Sequence, residues 1–497
     1  MMHRPLLSQL LAHDAPSATD GPADVPISGI TADSRTVAPG MVFVAIPGFT
    51  HDGHAFVPEA VARGARAVVV QRAAAGAAAV TVVTVPDTRV ALAQMSAAFF
   101  GHPSRELQLI GITGTNGKGT TAALIEAILT RAGRRTGLIG TLGAKMGDKE
   151  IDLGRTTPEA PQLQGLLREM VDAGITHAVM EVASHGLTLH RVDGCRFRAA
   201  VFTNLTQDHL DFHGSMDEYR HAKQRLFEMV DADGVAVVNA DDAAASSMIR
   251  STPARVITYG VVQAADIRAE DVALATDGTT FTVLTPSGPT QVRSRLRGKF
   301  NVYNALAAVS TAMTQGVGRD VAAAALADFP GVPGRFEAVD EGQPFALIVD
   351  YAHTPDSLEN VLRTAREFTR GRVVAVFGAG GDRDRTKRPV MGRIAAALAD
   401  TAIVTSDNPR SEDPMVIIDE IMAGVRGPMS EVRIEVEPDR RKAIVRAVGI
   451  AQPGDVIVIA GKGHEPYQEI NGIKHPFDDR LVAREALRQF RAASRPE

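Results

Sequence analysis

The residues best suited to chemistry form a glycine-rich loop with one lysine, Gly114-Thr115-Asn116-Gly117-Lys118-Gly119-Thr120. An apolar run precedes the loop, and apolar residues at helical spacing follow it. Glycines at 114 and 117 allow backbone N–H groups to turn toward an anion, and a helix that begins here points the positive end of its dipole at the same place. Lys118 adds a point charge for terminal phosphates. The sequence therefore predicts a strand, a phosphate-binding loop and a helix, with an ordinary tight turn as the alternative.

The position after the loop lysine departs from the usual nucleotide-binding pattern. Gly119 stands where a residue with a hydroxyl group normally helps to hold Mg²⁺. Thr120 or Thr121 would have to supply that oxygen.

Polar side chains follow two further apolar runs that are typical of buried strands. Glu181 comes directly after residues 175–180, and His209 lies in the polar segment that follows residues 199–204. Because the carboxyl ends of parallel strands meet at one edge of a sheet, we expect both side chains near the phosphates. They form a candidate Mg²⁺ site, although histidine is an unusual ligand for this ion; an ordinary surface group is the alternative for each. Lys223 has neighbours of helical composition, and its spacing alone predicts a solvated lysine.

Residues 1–106 predict a small α/β domain, because β-type runs alternate with helical stretches. The β-type runs are residues 40–46 and 67–70. Ser34 and Arg35 precede the first of them, where they would either hydrogen-bond an anionic ligand or form a helix cap and a surface arginine.

Residues 107–332 predict a central domain in which strands and helices alternate behind the phosphate loop, the order typical of a mostly parallel sheet. Residues 253–296 are instead typical of β-hairpins, with Asp277-Gly278 as one turn. Asn301 and Asn304 lie on one face of the helix that follows, where they would either bind the edge of a base or cap the helix.

Residues 333–497 predict a Rossmann-like third domain with a site of its own. Its apolar runs predict parallel strands, each followed by a polar or glycine-rich loop. These loops are Asp350-Tyr351-Ala352-His353, Gly380-Gly381-Asp382-Arg383-Asp384, Asp407-Asn408-Pro409-Arg410 and Gly461-Lys462-Gly463-His464-Glu465. Their glycines lack the spacing of a dinucleotide fingerprint, so NAD binding is a weak alternative.

The composition limits the class of protein. The 497 residues suggest about three domains, and 45% hydrophobic residues are enough for a core in each. A formal net charge of -5 without a long basic run argues against nucleic acid as a partner. The single cysteine, Cys195, excludes an internal disulfide and a cysteine zinc cluster. Because the sequence shows no signal-peptide pattern and no apolar stretch of membrane-spanning length, we expect a cytoplasmic protein that does not insert into membranes.

Five motifs, in this order, resemble those of the Mur ligase family, ATP-dependent enzymes that add amino acids during bacterial cell-wall synthesis. They are Gly-Thr-Asn-Gly-Lys at 114–118, Met-Glu-Val-Ala-Ser-His at 180–185, Thr-Asn-Leu-Thr-Gln-Asp-His-Leu-Asp at 203–211, Asp-Tyr-Ala-His at 350–353 and Gly-Lys-Gly-His-Glu at 461–465. Together they look like the motifs of ligases that add the third peptide residue. The resemblance implies an α/β protein of three domains: a small N-terminal domain, a central ATPase-like parallel sheet and a C-terminal Rossmann-like domain.

The resemblance also assigns site residues. UDP-N-acetylmuramoyl-L-alanyl-D-glutamate, the UDP-muramoyl dipeptide, would contact Ala32, Ser34, Phe49, Thr50, His51, Thr156, Thr157, Ser184 and Arg191. ATP would contact Gly114, Thr115, Asn116, Gly117, Lys118, Gly119, Thr120, Asn301, Asn304, Arg335 and Asp350. Mg²⁺ would be held by Thr120, Glu181, His209 and a carbamylated Lys223, and the catalytic residues would be Lys118, Glu181, His209, Lys223, Arg335 and His353. Only the resemblance indicates carbamylation.

The third domain would bind the incoming amino acid. By resemblance, its pocket comprises Arg383, Asp407, Asn408, Pro409, Arg410, Gly461 and Glu465. The Asp-Asn-Pro-Arg sequence is similar to that of relatives that add meso-diaminopimelate instead of lysine. The guanidinium of Arg410 can bind the distal carboxylate of diaminopimelate bidentately, and lysine would leave it unpaired at a cost of about 1–3 kcal/mol. Glu465 would suit the ammonium group.

The resemblance implies that the γ-phosphoryl group of ATP passes to the D-glutamate γ-carboxylate, and that the amine of meso-diaminopimelate then attacks the acyl phosphate. We expect a monomer. An L-lysine-adding ligase of the same family is one alternative, and an ATP-hydrolysing regulatory switch, which needs no amino-acid pocket, is another. A folylpolyglutamate ligase would lack both the N-terminal domain and the Asp-Asn-Pro-Arg pocket.

Three positions depart from the family pattern. Gly119 replaces a threonine, Ala183 stands where a serine is common, and Leu189 occupies an often polar position. Each change removes a possible polar contact, either an oxygen ligand for Mg²⁺ or a hydrogen bond to the muramoyl dipeptide.

Overall fold

The computed structural model describes residues 4–12, 16–275, 278–425 and 432–493. The chain divides into two compact units. Unit 1 comprises Met1–Leu205, His209–Asp266 and Ala307–Val321, and unit 2 comprises Thr206–Asp208, Ile267–Leu306 and Ala322–Glu497. Asp277, half of one predicted turn, lies outside the described residues.

The N-terminal part of unit 1 is a small α/β structure, as the sequence predicts. Its helices are α1 (Leu7–Leu10), α2 (Val57–Ala62) and α3 (Thr88–Phe99), and its strands are β1 (Ala18–Asp20), β2 (Ile30–Thr31), β3 (Val42–Val44), β4 (Ala67–Val70) and β5 (Thr81–Thr84). The sheet order is β1-β5-β4-β3-β2; β1 is antiparallel to β5, and the other four strands are parallel. The Asp87 carboxylate caps α3 by accepting hydrogen bonds from the N–H groups of Arg89 and Val90.

The central part of unit 1 contains the predicted phosphate loop. Its strands are β6 (Gln108–Thr113), β7 (Thr136–Gly140), β8 (Gly143–Met146), β9 (Lys149–Ile151), β10 (His177–Glu181), β11 (Phe197–Phe202), β12 (Val230–Asn239) and β13 (Arg255–Gly260). Its helices are α4 (Lys118–Arg131), α5 (Ala160–Asp172), α6 (Ser184–Thr188), α7 (Leu210–His213), α8 (Met216–Glu228) and α9 (Ala245–Arg250). The strand order is β13-β12-β11-β6-β10-β7-β8-β9, parallel from β13 to β7 and antiparallel at β8 and β9.

Three adjacent strands of this sheet position the candidate site. Leu109, Met180 and Phe202, from β6, β10 and β11, are fully buried in one apolar core. Parallel strands covered on both faces require such apolar side chains. Because these strands run in the same direction, the polar residues that follow them lie at one edge of the sheet.

The expectation of hairpins throughout residues 253–296 is wrong for its first part. Strand β13 pairs in parallel with β12, so it belongs to the central sheet. The hairpins begin later, with β14 (Ile267–Ala275), β15 (Gly278–Thr285) and β16 (Gly288–Ser294), which form an antiparallel meander in unit 2. A short β-type run does not specify the direction of its partner strand, and for this reason the sequence did not separate the two cases.

Two helices, α10 (Lys299–Thr314) and α11 (Arg319–Asp328), contribute residues to both units. The other helices of unit 2 are α12 (Pro355–Phe368), α13 (Lys387–Leu398), α14 (Pro414–Ala423), α15 (Arg440–Ile450) and α16 (Asp479–Ala493). Its remaining strands are β17 (Glu337–Ala338), β18 (Ala346–Asp350), β19 (Val373–Phe377), β20 (Thr401–Val404), β21 (Arg433–Val436), β22 (Val456–Ala460), β23 (Tyr467–Ile470) and β24 (Ile473–Pro476).

The main sheet of unit 2 has the order β17-β18-β22-β19-β20-β21, in which β17 is antiparallel and the others are parallel. Side chains of β18 alternate between the two faces of the sheet. Leu347 and Val349 pack in the core on one face, and Ile348 packs in the core on the other. The loops after β18, β19, β20 and β22 therefore share the carboxyl edge of one sheet, as the sequence predicts for a Rossmann-like arrangement.

The predicted α/β fold class with parallel sheets is confirmed. The domain limits 1–106, 107–332 and 333–497 stay a prediction. In the part of the chain that the structure describes, no helix has the length and hydropathy needed to cross a membrane.

Candidate active site

The loop between β6 and α4 has the backbone geometry of an anion-binding turn. Gly114 has a φ of 150° and Gly117 a φ of 85°, conformations that residues with side chains rarely adopt. A Cβ at Gly114 would also overlap Thr203 Oγ1. Helix α4 begins at Lys118, so its first N–H groups and its dipole face the loop.

The residues after β11 hold this loop in place. Thr203 Oγ1 donates a hydrogen bond to the carbonyl oxygen of Asn116 at 2.6 Å. Asn204 accepts from the N–H of Thr115 at its carbonyl oxygen, and from the N–H of Asn116 at Oδ1, both at 2.9 Å. The Thr-Asn pair therefore fixes the backbone that would surround a phosphate.

Two lysines converge on one carbonyl oxygen of the loop. Lys118 Nζ donates to Gly114 O at 3.0 Å and to Thr115 O at 2.9 Å, and Lys223 Nζ donates to Gly114 O at 2.8 Å. Lys223 is only 1% exposed, and its ammonium lies 4.2 Å from the centre of the Tyr219 ring. The prediction of a solvated Lys223 is wrong, because this residue lies on the face of α8 that packs against the sheet.

Glu181, the last residue of β10, lies beside the start of α4. Its Oε1 accepts a hydrogen bond from the N–H of Thr141 at 2.8 Å. A Cβ at Gly119 would lie 3.2 Å from this oxygen, and a Cβ at Gly140 would overlap it. The glycine after the loop lysine therefore leaves space that the Glu181 carboxylate borders.

The Glu181 carboxylate beside the loop fits a Mg²⁺ ion that is also bound by substrate phosphates. Within the described ranges, no group of three or more His, Cys, Asp or Glu side chains is placed to hold a metal ion. Mg²⁺ commonly binds one or two carboxylates together with phosphate oxygens and water, and Glu181 supplies one carboxylate next to the loop. An unmodified Lys223 is a donor and cannot ligate a cation.

Thr157 and Arg191, two expected substrate contacts, surround the end of β10. Thr157 Oγ1 donates to Glu181 O and accepts from the N–H of Ala183, both at 3.0 Å. Arg191 Nη1 donates to Thr157 O at 3.2 Å, and its Nη2 lies 2.9 Å from Glu159 Oε1. Burial lowers the pKa of Arg191, and the Glu159 carboxylate opposes that shift.

Thr156 and Ser184 flank the same strand end. The hydroxyl oxygens of Thr156 and Thr141 are 3.1 Å apart, within hydrogen-bond distance. Because Thr141 also binds Glu181, this contact places Thr156 next to the carboxylate. Ser184 Oγ lies 3.0 Å from Nε2 of His213, a contact that no sequence pattern indicated.

A chain of ring contacts joins the N-terminal part of unit 1 to His209. The Phe49 side chain is 80% exposed, and its ring lies 5.7 Å from that of Phe212. Phe212 lies 4.2 Å from His185, which lies 4.7 Å from His209. Burial lowers the pKa of His185 to about 4, so this ring is neutral at pH 7.

Four other expected substrate contacts in the N-terminal part are Ala32, Ser34, Thr50 and His51. Ser34 is buried, and its hydroxyl group donates to Glu59 Oε2 at 3.0 Å. Ala32 packs against the apolar core, whereas Thr50 and His51 are exposed. No sequence pattern indicated that Glu59 is the partner of Ser34.

Asp350 in unit 2 is bound from two sides. Its Oδ2 accepts from the N–H of Phe336 at 2.6 Å, and its Oδ1 accepts from the N–H of Ala352 at 2.8 Å. Burial raises the pKa of Asp350, and the Arg335 guanidinium opposes that rise. Arg335 itself lies over the Tyr351 ring at 4.8 Å. Arg335 and Asp350 are therefore close enough for their charges to interact.

Two imidazoles border Tyr351. The rings of His353 and His464 lie 4.7 Å and 5.2 Å from the Tyr351 ring. His353 Nδ1 donates to Tyr351 O at 2.8 Å, and Lys387 Nζ donates to His353 O at 3.0 Å. Burial lowers the pKa of His353, of Lys387 and, to about 4, of His464. His464 Nδ1 has no hydrogen-bond partner among the described residues.

Asn301 and Asn304 lie within α10, in its first two turns after Lys299. Asn304 Nδ2 donates to Asn301 Oδ1 at 3.0 Å, and Asn301 Nδ2 donates to Arg297 O at 2.8 Å. The two amides are therefore neighbours on one face, as their spacing predicts.

The loop after β20 offers an acceptor and a guanidinium close together in sequence. Asp407 is 5% exposed, and its Oδ1 has no hydrogen-bond partner in the described part of the chain. Arg410 has a φ of 52°, and its Nη1 donates to Gly381 O at 2.7 Å. Its Nε lies 3.3 Å from Glu469 Oε2. Neither contact of the guanidinium uses Nη2.

Glu465 contacts the same loop. Asn408 Nδ2 donates to Glu465 Oε2 at 2.8 Å, and Lys462 Nζ donates to that oxygen at 3.2 Å. A Cβ at Gly461 would lie 2.9 Å from Asp407 Oδ2, so the expected pocket residues from β20 and β22 adjoin. By resemblance, Glu465 would suit a ligand ammonium; in the structure it already accepts a hydrogen bond from the ammonium of Lys462.

Arg383, another residue expected to contact the amino acid, is exposed. Its Nη1 donates to Asp382 O at 3.1 Å. A Cβ at Gly380 would lie 3.0 Å from Arg410 Nη1 and 3.8 Å from Arg383 Cγ, so the two arginines flank Gly380.

Sequence reasoning did not select several residues that the structure places beside these sites. They are Thr141, Thr203, Asn204, His213 and Tyr219 in unit 1, and Lys387, Arg440, Lys462 and Asp479 in unit 2. The helical spacing of Tyr219, Ala222, Lys223 and Leu226 was a signal for the buried face of α8. No pattern distinguishes Arg440 from the charged residues that follow it.

Three family models match consecutive segments of the chain. They describe the Mur ligase family, catalytic domain at residues 26–100, the Mur ligase middle domain at 112–312, and the Mur ligase, glutamate ligase domain at 334–463.

Relatives are similar over almost the whole length. A protein of Bacillus cereus named UDP-N-acetylmuramoyl-L-alanyl-D-glutamate–2,6-diaminopimelate ligase is 49% identical over 467 residues, which are 93% of this chain and 94% of the relative. A protein of the same name from Gloeobacter violaceus is 48% identical over 488 residues, 98% of this chain and 99% of the relative. A solved structure described by that name has a TM-score of 0.71 and 35% identity, and the match covers 98% of this chain and 99% of that one.

Proposed function

The chain belongs to the Mur ligase family, and on that premise we propose that it joins meso-2,6-diaminopimelate to the D-glutamate γ-carboxylate of UDP-N-acetylmuramoyl-L-alanyl-D-glutamate. ATP is converted to ADP and phosphate in the reaction. The protein is thus an ATP-dependent amide-bond-forming ligase of peptidoglycan precursor synthesis. We assign it to the cytoplasm, where UDP-linked precursors are made, and expect it to act as a monomer.

One feature of unit 2 is the main support for diaminopimelate as the amino acid. A single loop combines a buried carboxylate oxygen, Asp407 Oδ1, to which no described residue donates a hydrogen bond, with the guanidinium of Arg410. A ligand end that bears both an ammonium and a carboxylate can satisfy both groups. The side chain of L-lysine supplies only the ammonium, so the guanidinium, whose Nη2 is used neither by Gly381 nor by Glu469, would gain no carboxylate from that ligand.

The phosphate loop supports the assignment of ATP. The turn at Gly114 and Gly117, the start of α4 and Lys118 are the features that bind phosphates in nucleotide sites. Proposed contacts in this unit are Gly114, Thr115, Asn116, Gly117, Lys118, Gly119 and Thr120, and those in unit 2 are Asn301, Asn304, Arg335 and Asp350.

We assign Mg²⁺ to Thr120, Glu181, His209 and a carbamylated Lys223. The carboxylate of Glu181 beside Gly119 supports this assignment. When bound, the ion would neutralise charge on the phosphates. Carbamylation would turn Lys223 from a cation into a carboxylate-like anion, which is the form able to support a metal ion.

The proposed chemistry has two steps. A γ-carboxylate oxygen of D-glutamate attacks the γ-phosphorus of ATP and ADP leaves; the diaminopimelate nitrogen then attacks the acyl carbon, loses a proton, and phosphate leaves. The protein contributes mainly position and charge neutralisation, with Lys118 opposing the charge on the transferred group. His353, which is neutral at pH 7 because burial lowers its pKa, has the form needed to accept the proton.

The muramoyl dipeptide is assigned to unit 1. Thr156, Thr157 and Arg191 lie around Glu181, which supports placing the acceptor carboxylate near the phosphate loop. The exposed ring of Phe49 offers an apolar face for the nucleotide end, together with Ala32, Ser34, Thr50 and His51; Ser184 completes the set.

Phosphate release tests this function directly. The assay contains ATP, Mg²⁺ and the UDP-muramoyl dipeptide, with meso-diaminopimelate or L-lysine, and product mass is measured in parallel. We expect turnover and a product heavier by one diaminopimelate residue, and no comparable turnover with L-lysine. Equal use of lysine would overturn the diaminopimelate assignment, and phosphate release that needs no amino acid would favour the regulatory switch.

A matched pair of variants tests Arg410. R410Q is expected to lower kcat/KM for diaminopimelate about 100-fold, because it removes a charged hydrogen bond to a carboxylate. R433Q, at an exposed arginine of the same unit, is the control and is expected to behave as the wild type.

A further inference from the structure

A buried lysine adjoins the amino-acid pocket, and the proposed reaction gives it no role. Lys462 follows β22, and its side chain is 0% exposed. Burying an ammonium is costly unless nearby groups compensate its charge and its hydrogen bonds. The groups that do so here are all close to the expected diaminopimelate contacts.

Lys462 closes a triangle of hydrogen bonds with Asn408 and Glu465. Its Nζ donates to Asn408 Oδ1 at 3.0 Å and to Glu465 Oε2 at 3.2 Å. Asn408 Nδ2 donates to the same Glu465 oxygen at 2.8 Å. Each member therefore contacts the other two, and the side chains hold one another in a single arrangement.

The triangle fixes which atoms the pocket presents. Asn408 Oδ1 also accepts from the N–H of Glu469 at 2.9 Å, so two donors face the amide oxygen and determine its orientation. Both contacts to Glu465 use Oε2. Oε1 is the carboxylate oxygen that these contacts leave for a ligand.

Lys462 also sets the charge of the pocket. Its Nζ lies 3.8 Å from Asp407 Oδ1, in addition to its contact with Glu465. One positive charge thus lies between two negative charges, and the three side chains together keep a single negative charge. The adjoining Arg410 and Glu469 form a pair of opposite charges.

We propose that Lys462 is a positioning residue that makes this pocket selective for diaminopimelate over lysine. It cancels one of two carboxylates, so the pocket does not strongly favour a ligand end that carries only a positive charge. Removing the Lys462 charge would make the pocket more negative by one unit. That change attracts the cationic end of lysine more than the end of diaminopimelate, where an ammonium and a carboxylate largely cancel. The inference rests on the proposed function.

The test compares the ratio of kcat/KM for meso-diaminopimelate to kcat/KM for L-lysine. K462M is expected to lower this ratio about tenfold or more, mainly through the two amino-acid KM values, while the KM for ATP stays unchanged. K462R keeps the charge and is expected to keep most of the ratio. K442M, at a lysine whose side chain is 72% exposed on α15, is the matched control and is expected to match the wild type.

A double variant separates charge from structure. K462M/E465Q restores the single negative charge, so its ratio is expected to return toward that of the wild type, within about threefold. A merely structural lysine would instead give a double variant no more selective than K462M. Such a result, or an unchanged ratio in K462M, would overturn the proposal.

The comparison remains decisive if K462M does not fold. E465Q alone makes the pocket less negative and is expected to raise the ratio, and adding K462M to it should lower the ratio again. Equal ratios in E465Q and the double variant would overturn the proposal. If the wild-type protein does not use diaminopimelate, the proposed function is refuted. If the wild type prefers diaminopimelate but the Lys462 variants have the same ratio of kcat/KM values, only this inference is refuted.

Discussion

Arg440 and Asp479 form an ion pair in which both side chains are 0% exposed. Nε and Nη2 of Arg440 donate to the two carboxylate oxygens at 2.8 Å and 2.7 Å. The guanidinium also donates to Ser406 O at 3.4 Å and to Ala460 O at 3.0 Å. Because β19 lies between β20 and β22, this one side chain connects the bases of two pocket loops that the sheet does not pair directly.

R440M is expected to lower the free energy of unfolding by about 3–5 kcal/mol, because it leaves Asp479 buried without its partner. R440M/D479L removes both charges and is expected to recover most of that loss. Urea unfolding measures both values. R441M, at an exposed neighbour, should change stability by no more than about 0.5 kcal/mol.

The same double variant tests whether the pair positions the pocket. If it does, R440M/D479L will keep a raised KM for diaminopimelate although its stability is recovered, and its KM for ATP will be normal. A double variant with a wild-type KM for the amino acid would contradict the positioning role.

Gly140 and Gly119 differ in how much space is available for a side chain. Both would direct a Cβ at Glu181 Oε1, but at Gly140 the overlap is severe, whereas at Gly119 the separation is 3.2 Å and a small shift relieves it. G140A is expected to lower kcat/KM for ATP about tenfold or more, and G119A less than about threefold. G449A, in open space on α15, is the control. A larger effect in G119A than in G140A would contradict this order.

Lys223 carbamylation has a direct spectroscopic test. Protein equilibrated with ¹³C-bicarbonate is expected to show a carbamate carbon signal that is absent from K223M. K223M should also lose activity about 100-fold, because the proposed metal site loses an anionic ligand. K149M removes an exposed lysine and serves as the control. Full activity in wild-type protein without a carbamate signal would refute the modification.

His464 is expected to make stability depend on pH. Burial lowers the pKa of His464 to about 4 in the folded protein, from an ordinary value of 6.5. Above pH 6.5 the ring is neutral in both states and contributes nothing. As the pH falls from 6.5 toward 4, only the unfolded state gains the proton, so the folded state loses stability.

H464Q should therefore lose less stability than the wild type between pH 7 and pH 5. We expect a difference of about 1 kcal/mol, reduced from the value for full burial because the ring is partly exposed. Urea unfolding at the two pH values measures it. H475Q, at an exposed histidine on β24, should lose as much as the wild type; an equal loss in H464Q would contradict the prediction.

Local sequence patterns were sufficient to predict a structural element where the residues that determine it are contiguous. The strand, turn and helix around Gly117 follow from an apolar run, glycines and a lysine within one short segment, and all three elements are present. The parallel strands of unit 2 could also be predicted, because strands buried on both faces are apolar throughout. The direction of β13 could not be predicted from its own residues, because it depends on the strand beside it.

The sequence by itself therefore determined the α/β fold class, the strand, glycine-rich turn and helix around Gly117, and the motifs that indicate the family. Only the tertiary structure decided that Lys223 is buried on Gly114 O, 109 residues away in sequence, and that Arg440 pairs with Asp479, 39 residues away. It also decided that Lys462 lies 3.8 Å from Asp407 and within hydrogen-bond distance of Glu465. The physical reason is that burial and pairing of a charge depend on groups brought together by packing, and local spacing does not contain that information.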